Sequence, residues 1–272
     1  MDLGTILGLV CAFTALALSV LLEGGHLGSF INVPAALIVF GGTLGAVIIA
    51  TPTRILMKMP VVIKQAFFGG KLMEAGEAIA KVVALSRRAR REGLLALEAE
   101  INDAGDEFLK KGLQLVVDGT DGDVLRSILQ AEIRNRNHRH QQGAGVFMEM
   151  GGLAPTLGVT GTVMGLVHMM EKLNDPSTMG PAIAAAFIAT LYGVASANVV
   201  FIPLGSKLAA RSDGEKFVHT LILEGLVSLQ AGENTMTIEE RLKTFLPPAQ
   251  RRQEFGGGER QDQGAESERK AA

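Results

Sequence analysis

Residues 145–170 read GVFMEMGGLAPTLGVTGTVMGLVHMM and contain one carboxylate, Glu149, and no lysine or arginine. A helix needs roughly 20 apolar residues to cross the hydrocarbon core of a bilayer, so this stretch predicts a membrane-spanning helix. Three further runs of this kind lie at 3–22, 30–50 and 181–206. Because a bilayer offers backbone polar groups no partner outside their own segment, the sequence predicts an all-α integral membrane protein with four transmembrane helices.

Basic residues indicate how the four runs are oriented. The segment that follows the second run is rich in lysine and arginine, whereas the loop 23–31 has neither and the loop 171–180 has only Lys172. Positively charged loops remain in the cytoplasm. The pattern therefore predicts that both short loops lie outside and that both chain termini are cytoplasmic.

The runs divide the chain into five segments. The long insert between the second and third runs has helical periodicity, and 71–102 is predicted as one helix within it. The sequence after Pro247-Pro248 is predicted to be disordered because it combines glycines with mixed charges. In chain order, the segments are a first transmembrane pair (1–51), a cytoplasmic helical domain (52–142), a second transmembrane pair (143–206), a cytoplasmic helix (207–246) and a tail (247–272).

Two prolines interrupt the hydrogen bonding of the third and fourth runs. Pro155 leaves the carbonyl of Gly151 without its amide donor, and Pro203 does the same to Val199. Each proline predicts a kink. A simple kink without further function is the alternative interpretation.

Threonines lie near these breaks. Thr162 is two helical turns from Pro155 and on nearly the same face, and Thr190 lies in the fourth run, followed by Tyr192 and Asn198. Hydroxyl and freed carbonyl oxygens are the ligands that a hard cation such as sodium requires. The sequence thus indicates a cation path along Pro155, Pro203, the two threonines, Tyr192 and Asn198, with hydrogen bonding of the hydroxyls to their own helix as the alternative.

Small residues recur at helical spacing in the same runs. Gly161 and Gly165 form one small face, Gly193 belongs to another in the fourth run, and Gly41 and Gly45 form a third in the second run. Such faces let membrane helices approach closely. We therefore predict that these glycines serve helix packing.

No aspartate, lysine or arginine lies at the centre of any run. Because ionisable groups mark most ion pathways through membranes, a carboxylate for ion transfer would have to come from a partner chain. The sequence also shows no nucleophile–base pair and no metal-ligand constellation. An enzyme, a bound cofactor and a resident metal are therefore not predicted.

Three motifs resemble the larger membrane subunit of the bacterial flagellar stator, the family called MotA in proton-driven motors and PomA in sodium-driven ones. The four-run arrangement with its large insert agrees, and the resemblance extends to about Leu246. The motifs are Ala154-Pro155 with Gly158 and Gly161-Thr162, the stretch from Ala189-Thr190 through Asn198 to Pro203, and Arg90-Arg91-Glu-Gly-Leu-Leu-Ala-Leu-Glu98.

The resemblance implies a partner, an assembly and a location. Five copies would surround two copies of a MotB/PomB-like subunit, whose single span carries the essential aspartate, in the bacterial inner membrane. Arg90 and Glu98, assisted by Arg91, would contact a FliG-like rotor protein, and the spacing of eight residues between Arg90 and Glu98 predicts a similar face of one helix. The transported ion would be Na⁺ or H⁺. Sodium is predicted because Thr162 occupies the position where sodium-type members carry threonine.

Two alternatives remain at the level of the sequence. An ExbB/TolQ-like energiser of envelope transport shares the ion-path core, but it usually has three spans and places its insert after the first. A membrane scaffold without ion flux predicts instead that Pro155, Thr162 and Thr190 tolerate substitution.

Overall fold

The computed structural model describes residues 3–68, 72–171 and 176–255, and every regular element in these ranges is helical. The helices follow the apolar runs and the amphipathic stretches of the insert. They are α1 (Leu3–Leu22), α2 (Val33–Ala50), α3 (Met59–Phe68), α4 (Ala75–Glu92), α5 (Glu107–Val117), α6 (Gly122–Met170), α7 (Pro176–Ala195), α8 (Ile202–Gln230), α9 (Thr235–Lys243) and α10 (Pro248–Phe255).

Four helical segments among the described residues are long and apolar enough to cross a membrane, which confirms the predicted fold class. α1 and α2 cross as separate helices. The third and fourth spans are parts of longer helices, because α6 begins at Gly122, and α7 continues through a π-helical turn into α8, which ends at Gln230.

Two π-helical turns lie in the spanning segments. One occupies Leu37–Gly41 within α2, and the other, Ser196–Phe201, joins α7 to α8 and immediately precedes Pro203. The amide of Ile202 bonds to the carbonyl of Ala197, five residues back. Since proline supplies no amide, the wider turn accommodates the missing bond next to it. Such turns frequently occur at functional sites.

The chain forms two compact units. The first comprises 1–71 with 138–212, and the second comprises 72–137 with 213–272. The sequence assigns 52–71 to the insert, whereas the structure packs α3 with the first unit. Ala66 of α3 is buried in a cluster with Phe147 of α6 and Leu204 of α8. α3 thus covers apolar side chains of the spanning helices.

The second unit has its own hydrophobic core. Its helices contribute side chains such as Val82, Phe108, Leu125, Leu226 and Ile238, each at most 1 % exposed. Burying a side chain of this size contributes about 1.5–3 kcal/mol. The core therefore explains why these amphipathic helices fold as a body distinct from the apolar spans.

The prediction of one helix over 71–102 is wrong. α4 ends at Glu92, and Gly93 follows with φ 85°, in the region that favours glycine. A 3₁₀ turn, Leu94–Leu97, and a short helix, Glu98–Ile101, come next. After this break Leu97 and Ile101 are buried in the core of the second unit, so the turn brings the chain back onto that core.

The predicted tail begins with an ordered helix, α10. Proline is favoured at the first helical position, and Pro248 occupies it. Arg251 then donates from Nε to the carbonyl of Leu246 at 2.7 Å and from a terminal nitrogen to that of Thr244 at 2.8 Å. The rest of the predicted tail, 256–272, lies outside the described residues.

Candidate functional site

Close packing of α6 on α7 creates the site. A Cβ atom added to Gly161 would lie 2.8 Å from the Cβ of Ala189, and one added to Gly165 would lie 2.8 Å from that of Ala186. Gly193 lies against the carbonyl of Ala154 with no room for a methyl group. These glycines bring the two backbones together.

The structure places Gly41 and Gly45 differently. A Cβ atom at either position would meet nothing within 4 Å. The small face of α2 is therefore unpacked within the part of the chain that the structure describes, although its spacing resembles that of the packed faces.

Two threonine hydroxyls meet where α6 and α7 approach. Thr162 Oγ1 and Thr190 Oγ1 are 2.5 Å apart. Thr162 Oγ1 also lies 3.1 Å from the carbonyl oxygen of Gly158 and 3.0 Å from that of Ala186, and Thr190 Oγ1 lies 3.5 Å from the Gly158 oxygen. Four neutral oxygens from two helices thus form one cluster, which we call the oxygen cluster.

The oxygen cluster contains fewer hydroxyl hydrogens than close oxygen–oxygen contacts. Two hydroxyls supply two donors, whereas four oxygen–oxygen contacts lie within 3.5 Å. Thr162 bonds to its own helix, as the alternative interpretation holds, and it also bridges to the neighbouring helix. Because a hydroxyl rotates freely, the hydrogens can turn away and leave oxygen lone pairs for a cation. The sequence identified the threonines, but it gave no signal for the Ala186 carbonyl.

Pro155 lies on the same face of α6 as Thr162 and is half-buried, with its Cα near Gly193. Pro203 and Asn198 do not join the oxygen cluster. Both line a cavity of about 580 Å³ beside α1, where Gly8 faces them. The Asn198 side chain donates to the carbonyl of Val194 at 2.9 Å and is exposed.

Tyr192 connects α7 to the start of α2. Its hydroxyl donates to the carbonyl of Phe30 and accepts from the amide of Asn32 at 3.1 Å. Asn32 in turn caps α2 by accepting from the Ala35 amide at 2.9 Å. Sequence spacing could not indicate this contact, because its partners are 160 residues or more apart. The tyrosine hydroxyl is therefore engaged away from the oxygen cluster.

The predicted rotor-contacting residues lie on the surface of the second unit. Arg90, Arg91 and Glu98 are exposed, and none has a hydrogen bond or ion pair with another described residue. The expectation that they share one face of one helix is wrong, since the break at Gly93 separates them. Arg88 forms the local ion pairs instead. Its hydrogen bond to Glu92, at 3.2 Å, and the nearby carboxylate of Glu100 raise the pKa of Arg88.

Two family profiles match this chain. The Motility protein A N-terminal profile covers residues 6–93, and the MotA/TolQ/ExbB proton channel profile covers residues 100–218. Among curated proteins, the chain is 39% identical over 252 residues to the Chemotaxis protein PomA of Vibrio alginolyticus, covering 92% of this chain and 98% of that protein. It is 37% identical over 262 residues to Motility protein A of Bacillus subtilis, covering 96% and 97%.

Solved structures show the same similarity. The flagellar MotAB stator complex of Bacillus subtilis matches with a TM-score of 0.85 and 38% identity, over 91% of this chain and 98% of that one. The MotAB structure of C. jejuni matches with a TM-score of 0.85 and 31% identity, over 91% and 97%. The Motility protein A N-terminal profile covers residues 6–93, which include the second span and the start of the insert, features that distinguish the motor from the three-span alternative.

Proposed function

This chain belongs to the MotA/TolQ/ExbB proton channel family as a stator subunit of the bacterial flagellar motor, and we propose that its oxygen cluster binds the sodium ion that drives the motor. The observation that carries the proposal is the convergence of the Thr162 and Thr190 hydroxyls with two backbone carbonyls inside the spanning segments. Hydroxyl and carbonyl oxygens are the ligands that a hard cation such as sodium requires.

The ion path needs a negative charge from a partner. The oxygen cluster contains no carboxylate, and an unpaired ion in a low-dielectric site costs several kcal/mol. A MotB/PomB-type subunit with an aspartate in its single span would supply that charge. The titles of the matched solved structures, which name MotAB complexes, support such a partner for this chain.

The threonines and Pro155 of this chain would have different roles in ion transfer. The threonine hydroxyls replace part of the water shell of the ion, and Pro155, on the same face as Thr162, would border the partner's carboxylate. Binding and release of the cation alternate the charge on that carboxylate, which changes its desolvation and its contacts with this chain. If the charged and the neutral carboxylate favour different contacts with this chain, each cycle of binding and release moves the two chains relative to each other.

The second unit would transmit torque to the rotor. Arg90, Arg91 and Glu98 have no partner among the described residues, so they can pair with charges on a FliG-like rotor. Five copies would form a ring around two copies of the partner, in the bacterial inner membrane with both termini in the cytoplasm. The basic segment after the second span supports this orientation.

Co-expression in a cell that lacks its own stator tests the proposal. We expect swimming only when this chain is produced with an aspartate-bearing single-span partner, and we expect the speed to fall when potassium replaces sodium at constant pH. Restoration of motility by this chain alone would contradict the partner role. A swimming speed that is the same in sodium and in potassium would contradict the choice of ion.

A further inference from the structure

A cavity opens between α1 and the fourth span. Its volume is about 580 Å³, and ligand sites in proteins typically measure roughly 300–1,000 Å³. Among the described residues α1 has no buried side chain, and a Cβ atom added to Gly8, which lines the cavity, would meet nothing within 4 Å. α1 therefore stands beside the fourth span with open space on the side that carries Gly8.

The two ends of the cavity differ in polarity. At one end Lys207 is half-buried and donates to the hydroxyl of Thr5. Of the described residues that line the cavity, Lys207 alone is charged. Leu9 and Val199 line the cavity deeper along their helices, and Asn198, at the inner end, has its amide bonded to a backbone carbonyl of its own helix. The cavity thus combines a basic end with a largely apolar interior.

The basic end lies at the edge of the membrane. Thr5 is near the start of α1, and Lys207 directly follows the apolar run 181–206. From Thr5 to Ala12, α1 rises about 10 Å, so the cavity reaches about a third of the way into a hydrocarbon core of about 30 Å. A lysine at such an edge can hold its ammonium group at the level of the lipid headgroups while its methylene stem lies along apolar surface.

We propose that this cavity binds one anionic phospholipid, with the phosphate at Lys207 and an acyl chain beside Leu9 and Val199. Basic pockets between membrane helices on the cytoplasmic side bind anionic lipid headgroups. The lipid fills the space between α1 and the fourth span and supplies dispersion contacts that α1 does not receive from the protein. The site goes beyond the proposed function, and only the assignment to the cytoplasmic leaflet rests on the orientation given there.

The charge of Lys207 selects this occupant. A cation that left the oxygen cluster through the cavity would be repelled by the ammonium group at its mouth, so the cavity is unsuited to be the ion exit. Water alone would leave the side chains of Leu9 and Val199 hydrated, which is unfavourable. A phospholipid satisfies both ends, because its phosphate pairs with the ammonium group and its acyl chain covers the apolar interior.

Lipid retention by the purified protein tests the site. The full-length chain is produced with its single-span partner, incubated in detergent with equal amounts of phosphatidylglycerol and phosphatidylcholine, and freed of excess lipid. Bound lipid is then counted by native mass spectrometry, and we expect phosphatidylglycerol to be retained in preference. Lys207→Gln removes the charge but keeps a polar side chain, and it should retain about fivefold less phosphatidylglycerol. Arg54→Gln is the matched control, because Arg54 is an exposed basic residue after the second span that does not line the cavity, and it should retain as much as the unmodified chain.

Filling the cavity provides a second test that does not depend on charge. Gly8→Phe places a ring where the acyl chain lies, so we expect a similar loss of phosphatidylglycerol. Gly45→Phe is the control, because an added Cβ at Gly45 also meets nothing within 4 Å and Gly45 lies outside the cavity.

Three results would overturn the site. They are equal retention of the two lipids, unchanged retention in Lys207→Gln, and an equal loss in Arg54→Gln. Loss of the assembled complex in Gly8→Phe with unchanged bound lipid would place a neighbouring copy in the cavity and would also overturn the inference. Selective retention by a chain that associates with no partner would uphold the lipid site and contradict only the proposed function.

Discussion

Thr162 contacts two helices through one oxygen atom. Its hydroxyl reaches Gly158 on its own helix and both Ala186 and Thr190 on the neighbouring one. Thr43 is a useful comparison within the same unit, because among the residues that the structure describes its buried hydroxyl bonds to the Val39 carbonyl of its own helix alone, at 2.5 Å. Thr43 is therefore a control for a threonine whose hydroxyl bonds to its own helix, although Thr43 is fully buried and Thr162 is half-buried.

Thr162→Ala should weaken sodium-driven rotation more than it weakens assembly. Removing one oxygen ligand should weaken sodium binding by about 1–2 kcal/mol. We therefore expect about a tenfold higher sodium concentration for half-maximal speed. Thr43→Ala, the control, should leave that concentration unchanged. Swimming speed measured against sodium concentration checks both variants, and an unchanged sodium dependence in Thr162→Ala would show that its hydroxyl serves packing alone.

Asp106 makes the second unit sensitive to acid. Burial favours its neutral form, but His219, with Nε2 at 3.6 Å, and the Leu109 amide, at 2.9 Å, outweigh that effect and lower the pKa of Asp106. His219 is itself buried and stacked on Phe108, with ring centroids 4.4 Å apart. The carboxylate therefore caps α5 and pairs with α8 at one point.

The sign of the pH effect follows from the lowered pKa of Asp106. Its contribution to stability is complete above the unfolded-state value, near 4, and is lost as the pH falls through the lower folded-state value. We expect Asp106→Asn to flatten this acid dependence while keeping the cap. Asp106→Ala should lower the free energy of unfolding by about 1 kcal/mol more than Asp106→Asn does, because it also removes the helix cap. Denaturant unfolding of the detergent-purified chain at neutral and acidic pH measures both effects, and an acid dependence that persists in Asp106→Asn would refute the assignment.

At the scale of elements, the α6–α7 contact determines whether the oxygen cluster exists. Gly193 lies against the Ala154 carbonyl, near Pro155, so an added methyl group forces the helices apart. Gly193→Ala should therefore separate Thr162 from Thr190 and abolish rotation, at a cost of about 1–3 kcal/mol in stability. Gly45→Ala is the control, because nothing lies within 4 Å of its added Cβ. Swimming and the amount of chain in the membrane would be compared. Full motility of Gly193→Ala would contradict the packing argument.

How far the sequence predicts these elements depends on which interaction determines each one. Apolar length alone determines α1 and α2, so their spans could be predicted. Pro203 indicates a missing hydrogen bond, but only the packing of neighbouring helices decides that a π-helical turn absorbs it. The sequence does not indicate the break at Gly93 because good helix formers flank it, and the burial of Leu97 outweighs their helix propensity.

The sequence allows the residues of the candidate site to be predicted, but not the distances between them. The glycine faces indicate that α6 and α7 pack, yet their spacing leaves open which pairs of residues meet. The meeting of Thr162 with Thr190 depends on that register, as does the approach of the Ala186 carbonyl. The position of Tyr192 predicts a place in the ion path, whereas its hydrogen bonds to Phe30 and Asn32 follow only from the fold.

At the scale of the whole molecule, the two units carry separate parts of the proposed function. The first unit contains the oxygen cluster, and the second presents charges that it does not use for its own folding. Arg90 and Glu98 are exposed and have no described partner, whereas Arg88 pairs with Glu92 and Glu100. Exposed charges contribute little to stability, so these residues can be changed without disturbing the fold.

Reversing these charges should therefore impair torque while leaving the protein intact. We expect Arg90→Glu and Glu98→Lys to reduce swimming or stator docking at normal membrane levels, because steering towards a charged rotor depends on the sign of the charge. The effect should weaken as ionic strength rises, since salt screens exposed charges beyond about 10 Å. Arg134→Glu, another exposed arginine of the second unit without a described partner, is the control and should swim normally. Loss of Arg90→Glu or Glu98→Lys from the membrane would instead show that these charges serve folding, because a surface charge that only meets the rotor has no part in insertion.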